Sequence, residues 1–203
     1  DLNLKGLKES VSVKYDKYAI PHIYANNQED AYMALGYVHA KERLFQMELL
    51  KRVGSGRLAE MFGPDLLKVD KIFRTIGVGK QSEINAEFYR QKGGDMVRLV
   101  DKYLSGVNAF VENGPTPLEF HVLGIEKEHF DLKSMFDIAG YMGYSFALAH
   151  RTDPIISYIE EKFGPEYLKD IRYDWPKDGK RISVYDSLSN DKKQLSLKSD
   201  WVK

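Results

Sequence analysis

The run GYVHAKERLFQMELLKR, residues 36–52, leaves a chain few ways to fold. It lies within a longer helical pattern from about Gln28 to Val53. Asn26 or Asn27 is placed to cap it, Glu29 and Asp30 fill its first turn, and Gly54 and Gly56 close it. At about 100° per residue the helix carries two apolar stripes. Ala31, Leu35, Val38, Phe45, Leu49 and Val53 form one; Met33, Tyr37, Ala40, Leu44 and Met47 form the other, on the far side. A helix apolar on two sides is packed on two sides, which leaves only the strip of Asp30, Lys41 and Glu48 for solvent. Glu42 projects from the middle of the first stripe. An unpaired carboxylate there is costly, so a buried ion pair with Arg52, Arg57 or Arg74 is expected in preference to a catalytic acid. His39 stands three residues before Glu42, but no further ligand recurs at a metal-binding interval, so it reads as a packed or capping histidine.

The rest of the chain reads as helices behind one small β element. SVSVKY alternates through Val11, Val13 and Tyr15, DKYA turns, and IPHIYA continues through Ile20, His22 and Tyr24. Pro21 has no N–H and confines the second strand to an edge or a late start. A lone hairpin is marginal, so these strands want another sheet to join, and the sequence offers none. RLAEMFG is a short helix, residues 65–92 are helical but patchy, and GDMVRLVDKYLSGVNAFVEN is amphipathic, with Met96, Leu99, Val100, Tyr103, Leu104, Val107 and Phe110 on one stripe. After the GPTP break, helices are expected at 133–150 and 154–163, with a short one beyond Gly164-Pro165. The chain divides into a helical domain, 1–175, and a polar extension, 176–203.

Composition narrows the function. The chain has 203 residues, enough for a real core, with 30 basic and 30 acidic side chains and no cysteine. Balanced, mixed charge argues against a nucleic acid or an anionic membrane as main partner. Lack of cysteine excludes disulfides, thiolate metal sites and a cysteine nucleophile, and suits an exported protein. No signal peptide is read, and Asp1 fits a trimmed terminus. The longest uncharged run, Ile138–Ala149, is too short to span a bilayer. GYSFA is not a nucleophile elbow, GVGKQS (77–82) is not a phosphate loop, and HVLGIEKEH (121–129) reads as a solvated turn. No self-contained active site appears. The chain is either a scaffold or part of a catalyst whose reactive group lies elsewhere.

Residues 20–63 resemble the start of the α subunit of the penicillin acylase family of N-terminal-nucleophile (Ntn) amidases. The resemblance is carried by Pro21-His22-Ile23, Gly36-Tyr37, Ala40, Arg43-Leu44-Phe45-Gln46-Met47, Lys51-Arg52, Gly56, Glu60 and Gly63. SGVNAFVE, PLEFHVLG and GYMGYSFALAH extend the likeness over about residues 10–165. Glu42 replaces the usual aspartate and Phe130 stands where tryptophan is common. The family implies a zymogen-like precursor that cuts itself into this α chain and a larger β chain beginning with serine. That serine is the nucleophile and its own α-amino group, with a pKa of about 7.7–8.0, is the base. The fold implied is a mostly α chain with an N-terminal hairpin that joins the partner's sheet, forming part of an αββα heterodimer, with the 176–203 extension wrapping the partner or adjoining the processing site.

On this resemblance the α chain holds no catalytic residue but lines part of the acyl pocket. Met142 and Phe146 match the family's pocket pair, one turn apart on one helix face beside Ser145 and Ala149; core packing is the alternative from the residues alone. Ser145 stands where an arginine would be, which leans toward an apolar acyl group. Gly140 and Gly143 would let this helix pack closely or unwind. A structural Ca²⁺ at the interface is implied for some members, with Asp153 the nearest candidate ligand; its rival reading is an N-cap ahead of Pro154. No organic cofactor is expected. The activity implied is hydrolysis of the side-chain amide of penicillins or related N-acyl compounds in a periplasmic or secreted enzyme. The alternatives are an N-acyl homoserine lactone acylase and a non-catalytic helical interaction module.

Overall fold

The computed structural model describes residues 4–147 and 149–170. Two short strands, β1 (Ser12–Tyr15) and β2 (Pro21–Tyr24), precede the long helix α1 (Gln28–Ser55). Then come α2 (Ala59–Phe62), a 3₁₀ turn (Pro64–Leu66), α3 (Leu67–Ile76), α4 (Val78–Lys92), α5 (Asp95–Asn113), α6 (Leu118–Leu123) and α7 (Leu132–Phe146). α8 (Ala149–Phe163) and α9 (Glu166–Asp170) follow. The protein is thus mostly helical with a small antiparallel sheet at its start. The described residues fall into two compact units divided after residue 148. The expected extension at 176–203 lies outside the described residues.

Both ends of α1 are set by local chemistry. The Asn27 side chain accepts from the backbone N–H of Asp30, and Gly56 closes the helix in the left-handed region at φ 68°, donating to Arg52 and Val53 carbonyls. Gly54 does not terminate the helix. It is buried inside it, and a Cβ there would stand 2.1 Å from the Asp137 carbonyl oxygen of α7. The strip expected to face solvent is corrected. Lys41 is exposed, but Asp30 and Glu48 are buried. Asp30 accepts from the N–H groups of Lys8 and Glu9, both at 2.9 Å, and so fastens the N-terminal segment to the helix. Glu48 is drawn into an ion cluster described below. The phase itself changes at Arg43, where φ −138° and ψ 17° break the helix. Met33, Ala40, Leu44 and Met47 are buried as the second stripe requires, whereas Leu35 of the first is 43% exposed.

The core sits where α1 crosses α5. Ala40, Leu44 and Met47 pack with Leu104, Val107, Phe110, Val111, Phe120 and Phe130. Gly36 and Gly106 let the two backbones meet, since a Cβ on Gly36 would lie 1.9 Å from Tyr103 O and one on Gly106 the same distance from Met33 O. The expected α5 stripe is buried over Leu104, Val107 and Phe110, while Met96 at its start is exposed. A second cluster joins Val53, Leu58 and Phe73, with Tyr141 and Tyr144 packed on it.

Strand pairing sets Val13 opposite Ile23 and Tyr15 opposite Pro21, so Pro21 opens its strand as its missing N–H requires. The register corrects the expected alternation: Pro21 and Ile23 turn toward the body, and Ile20, His22 and Tyr24 are exposed. Asp16 Oδ1 organises the turn by accepting from Tyr18 N and Ile20 N. Among the described residues no third strand joins the pair. Two helix boundaries also move. α7 ends at Phe146, where Ala147 leaves helical geometry at ψ 62°, although no glycine or proline marks the site. α8 starts at Ala149 and carries Pro154 inside it, so Asp153 is not a cap. Ala149 therefore belongs to the next helix and does not share a face of α7 with Met142.

Candidate functional site

Against the second half of α1 three carboxylates and three cations interlock. Arg52 donates through Nε to Glu48 Oε1 at 2.6 Å, through Nη1 to Glu60 Oε2 at 2.8 Å and through Nη2 to Glu128 Oε1 at 2.7 Å. Lys51 Nζ lies 2.8 Å from Glu48 Oε2, an ion pair whose angle falls short of a hydrogen bond, and donates to Glu128 Oε2 at 3.1 Å. The same ammonium sits 4.4 Å from the centre of the Phe130 ring. Arg57 adds contacts to Glu60 and Glu128. Hydrogen bonding to Glu60 and then Glu128 raises the Arg57 pKa. Burial pushes the Glu128 carboxyl up, but the Arg57 and Lys51 hydrogen bonds and the nearby charges outweigh it and hold the pKa down at about 2. The residues read as a solvated turn thus include a carboxylate that ties the α6–α7 connection to α1.

Glu42 is corrected. It is exposed, accepts from Tyr15 Oη at 3.2 Å and has no contact with Arg52, Arg57 or Arg74, which serve other partners. Glu48, six residues on, takes the buried role. Its spacing of three and four from Lys51 and Arg52 was the available signal, and the 100° wheel hid it because the wheel runs straight through Arg43. His39 is exposed in the middle of α1 and caps nothing; its ring rests beside Tyr103, with Nδ1 2.7 Å from Tyr103 Oη. Burial, then the Arg43 charge, lowers the His39 pKa, and burial raises Tyr103 to about 12, so the pair meets as neutral groups.

At the far end of the same unit, α7 begins with a capping box in which Asp131 Oδ1 accepts from Ser134 N. Leu132, Ser134 and Asp137 are its buried residues, and none follows them. Met142 is 44% exposed and Phe146 78% exposed, both on the side of α7 away from the body. Ser145 Oγ donates to the Met142 carbonyl at 2.8 Å, so the hydroxyl is spent on its own helix. Tyr141 and Tyr144 turn the other way, onto Phe73 of α3. In α8, Asp153 is exposed and lies 3.4 Å from Thr152 Oγ1. Among the described residues no group of three or more His, Asp or Glu side chains is placed to hold a metal. One carboxylate supplies at most one or two of the roughly six to eight oxygens that Ca²⁺ takes, so these residues alone do not form such a site. No described helix is long and apolar enough to cross a membrane.

A mostly helical layer built on a first helix packed on two sides leaves an apolar pair bare at the end of α7. The family model for penicillin amidase matches residues 10–192, and the chain belongs to that family. It is 43% identical over 128 residues to penicillin acylase 2 proenzyme from Pseudomonas sp. (strain SE83), a match covering 63% of this chain and 16% of that protein. It is 30% identical over 167 residues to acyl-homoserine lactone acylase QuiP from Pseudomonas aeruginosa, covering 81% of this chain and 19% of that one. The chain therefore spans less than a fifth of the length of these curated relatives. Its fold is that of a penicillin G acylase chain from Alcaligenes faecalis, with a TM-score of 0.64 and 22% identity, covering 86% of this chain and 97% of that chain.

Proposed function

We propose that this chain is the α part of a self-processed amidohydrolase that cleaves N-acyl amides, with the nucleophile on a larger partner chain. The observation that carries the proposal is the bare apolar pair Met142 and Phe146 in a member of this family, facing away from the body that holds the rest of α7. In this reading Met142, Ser145 and Phe146 form one wall of the acyl pocket, and the remaining walls belong to the partner. The partner's N-terminal serine attacks the amide carbonyl, its α-amine takes the proton, and backbone and asparagine donors hold the oxyanion. The α chain contributes binding and orientation, which act on the rate by fixing the acyl group at the reacting distance.

The name proenzyme borne by the relative from strain SE83 supports processing from a precursor. The likeness in fold to one solved chain, 97% of which is covered, supports the same helical layer here. The β1–β2 hairpin is assigned to the edge of the partner's sheet. The enzyme works in the periplasm or outside the cell, in keeping with the absence of cysteine.

For the substrate, an apolar acyl group attached to a penicillin nucleus is the first assignment. An acyl-homoserine lactone is the second, favoured by the match to QuiP over 81% of this chain and by Ser145, which offers no cation to the acyl tail. Hydrolysis of penicillin G, penicillin V, a glutaryl-cephalosporin and acyl-homoserine lactones of graded length separates the two; preference for the glutaryl compound would contradict both. The subunit assignment is tested by purifying the native protein. A co-purifying larger chain that begins with serine is expected, and a stable solitary 203-residue monomer would establish the interaction module instead. If Asp153 is one ligand of a structural Ca²⁺, chelation lowers the thermal midpoint of the assembled enzyme and added Ca²⁺ restores it; Asp153→Asn removes that response.

A further inference from the structure

The last two turns of α7 are held through the rings of Tyr141 and Tyr144 and through the bare backbone of Gly140, which lies against Val78. Its N-terminal half is held by the capping box, by buried Leu132 and Asp137, and by Met135 and Ile138 against the main core. Past Asp137 no residue of α7 is buried. There Tyr141 and Tyr144 straddle Phe73, with ring centres 5.8 and 5.2 Å away and planes tilted by 51° and 73°. Phe73 itself is 5% exposed, with Val53 and Leu58 beside it.

Two polar ties fix α3 on either side of Phe73. Asp70 accepts from Leu58 N at 2.7 Å and Ala59 N at 3.0 Å, and Arg74 Nε donates to Gly56 O at 2.8 Å. Phe73 is thereby registered to the turn that ends α1. Round α7, Tyr141 and Tyr144 centre roughly 150° from Met142 and Phe146, so a roll of the helix on Phe73 carries the exposed pair in an arc. Gly140 lets α7 sit against Val78, where a Cβ would lie 2.6 Å from Cγ1, whereas a Cβ on Gly143 would meet nothing within 4 Å.

Building on the pocket assignment above, we infer that Phe73 is the positioning residue of the acyl-pocket wall. It touches no substrate. Its ring sets the roll of α7 through Tyr141 and Tyr144, and so sets the depth that Met142 and Phe146 leave for the acyl group. The class of ligand discriminated is the apolar acyl chain, by size.

The test uses the full-length, self-processed enzyme and chromogenic anilides carrying phenylacetyl, hexanoyl and decanoyl groups. Phe73→Leu is expected to change the phenylacetyl-to-decanoyl ratio of kcat/KM by about fivefold or more, mainly through KM. Phe146→Ala alone should also change that ratio. In the Phe146→Ala background, Phe73→Leu should add less than about twofold, because the side chain through which it acts is gone. Tyr144→Leu, a half-buried site, removes the same contact from the other partner and decides the matter should Phe73→Leu not fold. If Phe146→Ala changes the ratio while Phe73→Leu and Tyr144→Leu do not, the positioning role is overturned and the pocket assignment stands. If Phe146→Ala leaves the ratio unchanged, both fail.

Discussion

Arg52 donates to three different carboxylates from a position only 5% exposed. Removing it leaves fully buried Glu48 to Lys51, while the part-exposed Glu60 and Glu128 keep Arg57, so the buried carboxylate carries most of the cost. Arg52→Ala should therefore lower unfolding stability by about 3 kcal/mol, read from urea denaturation. Arg52→Lys should recover only part of it, since an ammonium cannot present the planar fork that meets Glu48, Glu60 and Glu128 together. Glu128 makes a separate forecast. Its pKa is held at about 2, below the ordinary glutamate value of 4.5, so its stabilising contribution is complete above the ordinary value and is lost as pH falls toward 2. Glu128→Gln should be less stable at neutral pH and should show a shallower loss between those two values. Equal slopes for wild type and variant in urea midpoints measured across that window would refute the assignment.

Helix α1 shows where sequence patterning reaches and where it stops. Its length, N-cap, left-handed glycine and buried second stripe all follow from residue order. The fate of Glu42 and Glu48 does not, because a wheel drawn at constant pitch cannot know that Arg43 departs from the helix. Asp30 was hidden for another reason: its acceptors are filled by Lys8 and Glu9 backbone groups, a contact between segments that no periodicity encodes. The end of α7 was equally hidden, since the residues around Ala147 contain no breaker. Glycines divide along the same line. Gly56 was legible as a stop, whereas Gly36 and Gly54 are explained only by the backbones that press on them. Gly36→Ala should destabilise the protein by about 1–3 kcal/mol, because the Tyr103 carbonyl occupies the space the methyl needs. Gly143→Ala, facing open space, should stabilise α7 by about 0.5–1 kcal/mol. Thermal unfolding of the two variants checks both signs.

For the molecule as a whole, the candidate site was legible by kinship more than by chemistry. Met142 and Phe146 would pass for core residues on spacing alone, and their exposure takes on meaning only beside relatives of which this chain spans less than a fifth. The ion cluster went unread because its members come from α1, the turn after it, α2 and the α6–α7 connection, segments that only the fold brings together.

The crossing of α1 over α5 has a practical corollary. Each helix offers the other a bare patch of backbone at Gly36 and Gly106, with no side chain between to act as a shim. Such a joint fits one mate and tolerates no slack. Anyone grafting a first helix from another member of the family into this chain will have to transplant the fifth with it, or accept a hybrid whose halves no longer seat.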